Sequence, residues 1–83
     1  MPPNELLQLV RRRPFIPFRI HMSDGVVYEV HHPEMVMIGM ASATIGFPER
    51  EEVPIYTRTE IIALRHIVRL EPLEAAQVES ADS

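Results

Sequence analysis

The chain has 83 residues, of which 46% are hydrophobic and none is cysteine, and its formal net charge is −4 at pH 7. This length predicts one domain, and the lack of cysteine excludes disulfides and cysteine-ligated zinc. No apolar run approaches the roughly 18 residues of a membrane-spanning helix, and the N-terminal charges follow the apolar stretch, unlike those of a secretory signal. We therefore expect a cytoplasmic domain that does not associate with membranes.

The N-terminal segment has the pattern of a short amphipathic helix over residues 4–13. Asn4 is a suitable N-cap, apolar residues recur at helical spacing, and Pro14 ends the pattern. Three arginines at its end suit the negative pole of the helix dipole. The same arginines are candidate contacts for RNA or another anion: Arg11, Arg12 and Arg13.

From residue 18 the hydrophobic period changes to two, which is typical of half-buried strands. Two such strands, at residues 18–22 and 26–30, flank the sequence SDG. A three-residue loop places apolar side chains opposite each other, with Ile20 opposite Tyr28, whereas a two-residue loop does not. We therefore predict a hairpin with a three-residue loop in which Gly25 adopts the left-handed conformation.

The rest of the chain predicts further strands and a tight turn before the last one. Strands are expected at residues 35–40, 43–47, 55–63 and 67–70, with a charged loop at 48–54 and a turn at 64–66. The first of these is apolar throughout, so we expect cover on both faces, from the helix on one side and a second copy of the chain on the other. Its methionines are the candidate self-association residues: Met35, Met37 and Met40.

These elements predict a mainly β domain over residues 1–73, with an N-terminal helix followed by a small five-stranded antiparallel barrel. Residues 74–83 are acidic and lack aromatic side chains. We expect them to form a flexible tail.

Two segments carry a resemblance to known proteins. RRRPFIPFRIHMSDGVVYEVHHPEMVMIG and the later IIALRHIVRLEPL resemble a group of small bacterial proteins that share the pattern PFxPFxIxxxDGxxYxVxHPE and a closing HIVRLEP. The resemblance covers about residues 6–73 and implies a common fold without an assigned activity.

More distantly, the N-terminal helix, the Asp24-Gly25 turn and the turn-linked last strands are similar to the Sm/Hfq superfamily. That resemblance implies a small SH3-like barrel, and members of the superfamily form rings that bind single-stranded RNA. The positions that form the RNA pocket in that superfamily have no clear counterpart in residues 31–34 and 63–66. The resemblance therefore bears on the fold more than on RNA binding.

The residues that could carry chemistry form no known catalytic motif. Serines lack a GxSxG context, and the glycines are too scattered to cradle a phosphate. The histidines have no HExxH spacing, and neighbouring histidines in a strand point to opposite faces. A metal site would draw on four histidines, to which Glu29 or Glu34 could add a carboxylate: His21, His31, His32 and His66. We predict that the protein is not an enzyme and holds no cofactor.

The leading interpretation is a non-catalytic binding or scaffold module that self-associates and could engage a protein partner. One alternative is an Sm-like, single-stranded RNA-binding oligomer, which the low net charge and the few aromatic residues disfavour. Its phosphate contacts would be Arg11, Arg12, Arg13, Arg65 and Arg69, with Tyr28, Tyr56 or Phe47 stacking on bases. The other alternative is a histidine-based metal-binding protein.

Overall fold

The computed structural model describes residues 2–50, 52–53 and 55–73. Its elements are α1 Pro3–Arg11, β1 Phe18–Met22, β2 Val27–Val30, β3 Val36–Ile38, β4 Ser42–Pro48, β5 Tyr56–Ala63 and β6 Ile67–Pro72. Short 3₁₀ turns at Pro33–Met35 and Leu64–His66 precede β3 and β6. The strands form two antiparallel sheets, sheet A in the order β2-β1-β6 and sheet B in the order β3-β4-β5.

This architecture confirms the mainly β class with one N-terminal helix. The strands number six rather than five, and within the described residues they form two three-stranded sheets rather than a closed barrel. These six strands fall on the six segments predicted separately in the sequence, so the predicted total of five was one too low. A 3₁₀ turn at Pro33–Met35 separates β2 from β3, since Pro33 favours the first position of a helical turn.

Helix α1 begins one residue earlier than predicted. Pro3 occupies the first turn, and Pro2 precedes it with extended backbone and no side-chain cap. The prediction of Asn4 as the N-cap is therefore wrong, because a proline at the start of a helix already fixes the required φ and needs no amide partner. The helix ends at Arg11, and Leu6 on its inner face is fully buried.

The β1–β2 hairpin has the predicted register and loop. Ile20 lies opposite Tyr28, and the Met22 amide donates to the Val26 carbonyl at 2.9 Å to close a three-residue loop. Gly25 has a φ of 92°, a conformation that L side chains rarely adopt. The alternation of apolar residues along the two strands and a glycine at the third loop position thus predicted this part of the fold.

The core lies between the inner faces of the two sheets and the inner face of α1. All of its buried members are apolar: Leu6, Phe18, Ile20, Val30, Met35, Val36, Ala43, Ile45, Ile62, Leu64 and Ile67. No polar or charged residue among those described is buried. Stability therefore comes chiefly from apolar burial, at about 1.5–3 kcal/mol for each large side chain.

The predicted strand at residues 35–40, covered on both faces, is wrong in two respects. Only Val36–Ile38 is a strand, and it is covered on one face alone. Met35 is in the 3₁₀ turn and is buried, whereas Met37 is 74% exposed and Met40, in the turn after β3, is 89% exposed. A continuous apolar run has no period from which to read which side chains face the core.

The acidic tail predicted at residues 74–83 lies outside the described residues. The charged loop at 48–54 is described except for two of its positions, 51 and 54. Among the described residues, no helix has the length and hydrophobicity to span a membrane.

Candidate functional site

The outer face of sheet A carries charged side chains that meet across three strands. Side chains alternate along each strand, so the polar members of β1, β2 and β6 share one side. Arg19 lies opposite both Glu29 and Glu71, and His21 lies opposite Arg69. We call this set the ionic face: Arg19, His21, Glu29, His31, Arg69 and Glu71.

Glu71 is the centre of the ionic face. Its Oε1 lies 2.8 Å from His21 Nε2, 3.3 Å from Arg69 Nη2 and 3.8 Å from Arg19 Nη1. Arg19 Nε in turn donates to Glu29 Oε2 at 2.9 Å. One carboxylate of β6 therefore holds side chains of β1 and of its own strand in one network.

This network shifts the acidities of its carboxylates. The hydrogen bond to His21, followed by the charges of Arg69 and Arg19, lowers the pKa of Glu71. The hydrogen bond from Arg19 likewise lowers the pKa of Glu29 and raises the pKa of the Arg19 guanidinium. These side chains are part-exposed, and exposed ion pairs contribute only about 0–1 kcal/mol each. The ionic face is a charge-matched, solvated surface rather than a major source of stability.

The histidines do not converge. His21 contacts Glu71, and His31 Nε2 lies 3.1 Å from Glu29 Oε1. His66 is exposed, and its backbone carbonyl accepts a hydrogen bond from the Ser23 amide at 2.8 Å. Within the described part of the chain, no three histidine or carboxylate side chains are grouped as metal ligands.

The candidate anion-binding arginines come from different parts of the fold. None of them is buried: Arg11, Arg12, Arg13, Arg65 and Arg69. Arg13 folds back on the end of α1 and donates to the carbonyls of Val10 at 3.0 Å and Arg12 at 2.8 Å. Arg65 lies in the turn before β6, and Arg69 belongs to the ionic face. Arg13 and Arg69 thus already have partners within the chain.

The outer face of sheet B has the opposite character. Met37, Thr44 and Ile61 form one cross-strand row, and Gly46 with Thr59 forms the next. Met37 and Ile61 are each 74% exposed. In these three strands, which the structure describes throughout, alternation places no charged side chain on this side. We call this surface the uncharged face: Met37, Thr44, Thr59 and Ile61.

One end of the uncharged face is closed by an aromatic ring. Gly46 is buried beneath Tyr56, and a Cβ at Gly46 would lie 3.1 Å from the Tyr56 Cγ. Burial raises the pKa of Tyr56. A depression of ≈ 190 Å³ next to the ring is lined by Met37 and Thr44 and also by the charged Glu34, which further raises the pKa of Tyr56. The surface is therefore largely apolar, with one charged residue beside it, and it can take an apolar partner side chain.

Charged groups do occur at the free edge of sheet B, on the other side of β5. Arg58 Nη1 donates to Glu60 Oε2 at 2.6 Å, and the Arg58 guanidinium lies 4.2 Å from the centre of the Phe47 ring. The Tyr28 hydroxyl donates to Glu60 Oε1 at 2.6 Å. This bond raises the pKa of Tyr28 to about 12 and, together with Arg58, lowers the pKa of Glu60.

The predicted self-association residues divide between two environments. Met35 packs in the core, where it fills space between the sheets, whereas Met37 and Met40 are on the surface. Ile61 was missed by the sequence reasoning. Its signal was available, because Ile61 and the buried Ile62 are adjacent in a strand and must point to opposite faces.

Comparisons with known proteins found no matching family model, no matching curated protein and no matching solved structure. The function is therefore inferred from the surfaces themselves. Of these, the uncharged face is the one whose composition departs most from that of a solvated strand face, on which polar side chains are expected.

Proposed function

We propose that this protein is a non-catalytic binding or scaffold module that self-associates through the uncharged face of sheet B. The observation that carries the proposal is the exposure of Met37 and Ile61, each 74% exposed, on either side of Thr44 in one uncharged row. Single exposed apolar residues are normal, but large apolar side chains grouped on one uncharged face indicate an interaction site. Burying the two side chains contributes about 1.5–3 kcal/mol each.

A second copy of the chain is the occupant that fits best. Two uncharged faces placed together remove apolar area from both copies, and the four residues of the face carry no charge to desolvate, which limits the main cost of polar interfaces. A domain of this size also buries only about 60% of its unfolded surface by itself. Self-association adds buried area to a small core.

We also propose that the two sheets are the halves of one small barrel of the Sm-like kind. The support is that β2 and β3 are consecutive and separated only by His31, His32 and the short 3₁₀ turn. Treated as one interrupted strand, they give five strands, with the second shared between sheet A and sheet B. The 3₁₀ turn before β6 fits the same arrangement. We do not extend this proposal to RNA binding, because two of the candidate arginines, Arg13 and Arg69, already have partners within the chain.

The native mass in solution tests the function. Wild-type protein should exceed the 9.5 kDa of a single chain by light scattering, and the larger species should increase with concentration. The variant Met37→Lys/Ile61→Lys should lose the face-to-face contact and have a lower mass than wild type, because it places a charge on each of two apposed surfaces. A matched variant, Val27→Lys/Val68→Lys, changes two exposed valines of sheet A and should keep the wild-type mass.

Three results would contradict the proposal. Wild-type protein could be a monomer at every concentration, or the sheet A variant could dissociate as readily as the sheet B variant. The third is a peak whose absorbance ratio at 260 and 280 nm shows bound nucleic acid. That result would favour the RNA-binding alternative and direct mutagenesis to its five candidate arginines: Arg11, Arg12, Arg13, Arg65 and Arg69.

A further inference from the structure

Strand β5 is an edge strand. It pairs with β4 on one side, and no strand in the described part of the chain pairs with its other side. Thr57, Arg58 and Thr59 are exposed along it. A row of unpaired backbone donors and acceptors is a template for pairing with a strand from another chain.

We propose that two copies of the protein pair antiparallel through β5, about a two-fold axis at Thr59. In this register Arg58 of each copy lies opposite Glu60 of the other, so the pairing makes two identical ion pairs. The inference rests on the proposed self-association and adds to the face-to-face contact a second, edge-to-edge contact, for which it specifies the strand, the register and the symmetry. It joins the two copies of sheet B into one six-stranded sheet.

The positions of the two charges support this register. Arg58 and Glu60 point to the same side of β5, because their side chains meet at 2.6 Å within one chain. Residues two apart in a strand are separated by about 6.6 Å along the chain, whereas residues directly opposite in neighbouring strands have Cβ atoms about 4.5–5.5 Å apart. The guanidinium can therefore contact the carboxylate of the second copy as easily as its own.

The Glu60 carboxylate can also accept a hydrogen bond from a second cation. Tyr28 donates to one of its oxygens and Arg58 to the other, and both bonds favour the ionised form. A carboxylate has about four lone-pair sites, so these two bonds leave room for a further donor. The Glu60 side chain is 40% exposed and the Arg58 side chain 60% exposed, so a partner strand can reach both.

Neighbouring registers are less favourable. An axis at Arg58 places the two arginines opposite each other, and an axis at Glu60 does the same to the two carboxylates. Like charges directly opposite in a sheet are destabilising. An axis at Ile61 places Glu60 opposite the apolar Ile62. Among these four axes, only the one at Thr59 pairs opposite charges.

The same register places the uncharged faces of the two copies side by side on one side of the six-stranded sheet, where they can pack against a further copy. Ile61 of each copy lies opposite Thr57 of the other and diagonal to its Thr59, so the exposed apolar rows become parts of one surface. The pairing with β4 skips Thr57, since Phe47 lies opposite Arg58 and Pro48 opposite Tyr56. Such a bulge bends the strand, and it confines the new ladder to a short segment.

Charge exchange between the paired positions tests the register. Arg58→Glu places two carboxylates against each Glu60, and Glu60→Arg places two guanidinium groups against each Arg58, so each variant alone should lose the edge-to-edge contact and have a lower mass than wild type by light scattering. An equimolar mixture should form a complex that contains both variants in equal numbers, visible by native mass spectrometry. The double variant Arg58→Glu/Glu60→Arg should regain the wild-type mass.

A matched control separates register from net charge. Arg50→Glu makes the same change of charge in the exposed loop before β5 and should keep the wild-type mass. Circular dichroism of each variant establishes that it is folded. Should a single variant not fold, the wild-type dissociation constant gives a second test, because it should rise with sodium chloride if exposed ion pairs hold the copies together.

The outcomes distinguish this inference from the function on which it rests. Wild-type protein that is a monomer at every concentration overturns both. An oligomer that is insensitive to the exchange of Arg58 and Glu60 but is dissociated by Met37→Lys/Ile61→Lys overturns the β5 pairing and leaves the self-association intact. Folded single variants that form no mixed complex overturn the register. Formation of the mixed complex supports it.

Discussion

The outer faces of the two sheets follow the same alternation of side chains and have opposite chemistry. On sheet A, Glu71 is contacted by Arg19, His21 and Arg69, and the surface is matched in charge. On sheet B, Met37 and Ile61 are exposed with no charge between them. Water solvates the first surface well, whereas the second gains free energy when it is covered. Two faces of equal geometry therefore differ in whether they need a partner.

The inner faces of the two sheets should not differ in this way. Substitutions there should have the largest effect on the free energy of unfolding. Ile20 of sheet A and Ile45 of sheet B are both fully buried in the same core. Replacing either by alanine should lower the free energy of unfolding by about 2–5 kcal/mol, because each change removes buried methyl groups and leaves a cavity. Urea denaturation should show one cooperative transition for both variants.

A control for these core variants is Val68→Ala, at a position 63% exposed. Its effect should stay within about 0.5 kcal/mol. Two separate transitions for Ile45→Ala would show that the sheets unfold independently, and the idea of one shared core would have to be given up.

A smaller effect on stability is expected when one glycine of each sheet is replaced by alanine, and the physical cause should differ between the two sheets. Gly25, in the hairpin of sheet A, has φ 92° and open space where a Cβ would lie, so its replacement by alanine costs backbone strain alone. Gly46, in sheet B, would bring a Cβ to 3.1 Å from the Tyr56 ring. We expect a loss of about 1–2 kcal/mol for Gly25→Ala and less for Gly46→Ala, because the half-buried ring can shift.

A double-mutant cycle distinguishes the two causes. The cost of Gly46→Ala should disappear when Tyr56 is also replaced by alanine, since contacting residues couple. The cost of Gly25→Ala should be the same in both backgrounds, because no side chain is involved. Equal behaviour of the two glycines in thermal or urea unfolding would contradict this assignment.

The smallest effect is the pH dependence of the ionic face. The hydrogen bond to His21, then the charges of Arg69 and Arg19, holds the pKa of Glu71 below its ordinary value. The contribution of Glu71 to stability is therefore complete above the unfolded-state pKa and is lost as the pH falls through the folded-state pKa. Glu71→Gln should reduce the neutral-pH stability slightly and flatten its decline in acid.

The check is the free energy of unfolding of wild type and Glu71→Gln from neutral to acidic pH. The difference between them should shrink as the pH falls. Thr59→Val, on the uncharged face, is the comparison variant, and its difference from wild type should not vary with pH. A difference for Glu71→Gln that grows in acid would refute the assigned direction.

The hairpin could be predicted from sequence because its signals are local. The alternation of apolar residues predicted the register of β1 and β2, and Gly25 at the third loop position predicted a three-residue loop. That register also predicts that Arg19 lies opposite Glu29. The contacts of Glu71 could not be predicted, because they depend on the pairing of β6 with β1, and these two strands are separated by most of the chain.

The sequence was a poor guide where the pattern lacked a period. Residues 35–40 are almost all apolar, so nothing in the sequence separates the buried Met35 from the exposed Met37. The contact of Tyr28 with Glu60 was equally out of reach, because it joins β2 of one sheet to β5 of the other. Tertiary packing decides both, and local propensity carries no information about it.

The two tyrosines give the molecule a built-in optical probe. The sequence contains no tryptophan and two tyrosines, so its intrinsic emission comes from Tyr28 and Tyr56 alone. The Tyr28 hydroxyl is bonded to Glu60 at the free edge of β5, and the Tyr56 ring lies on the uncharged face against Gly46. Each fluorophore therefore reports on one of the two proposed contact regions. Binding at sheet B can be followed by emission intensity and anisotropy in unlabelled protein.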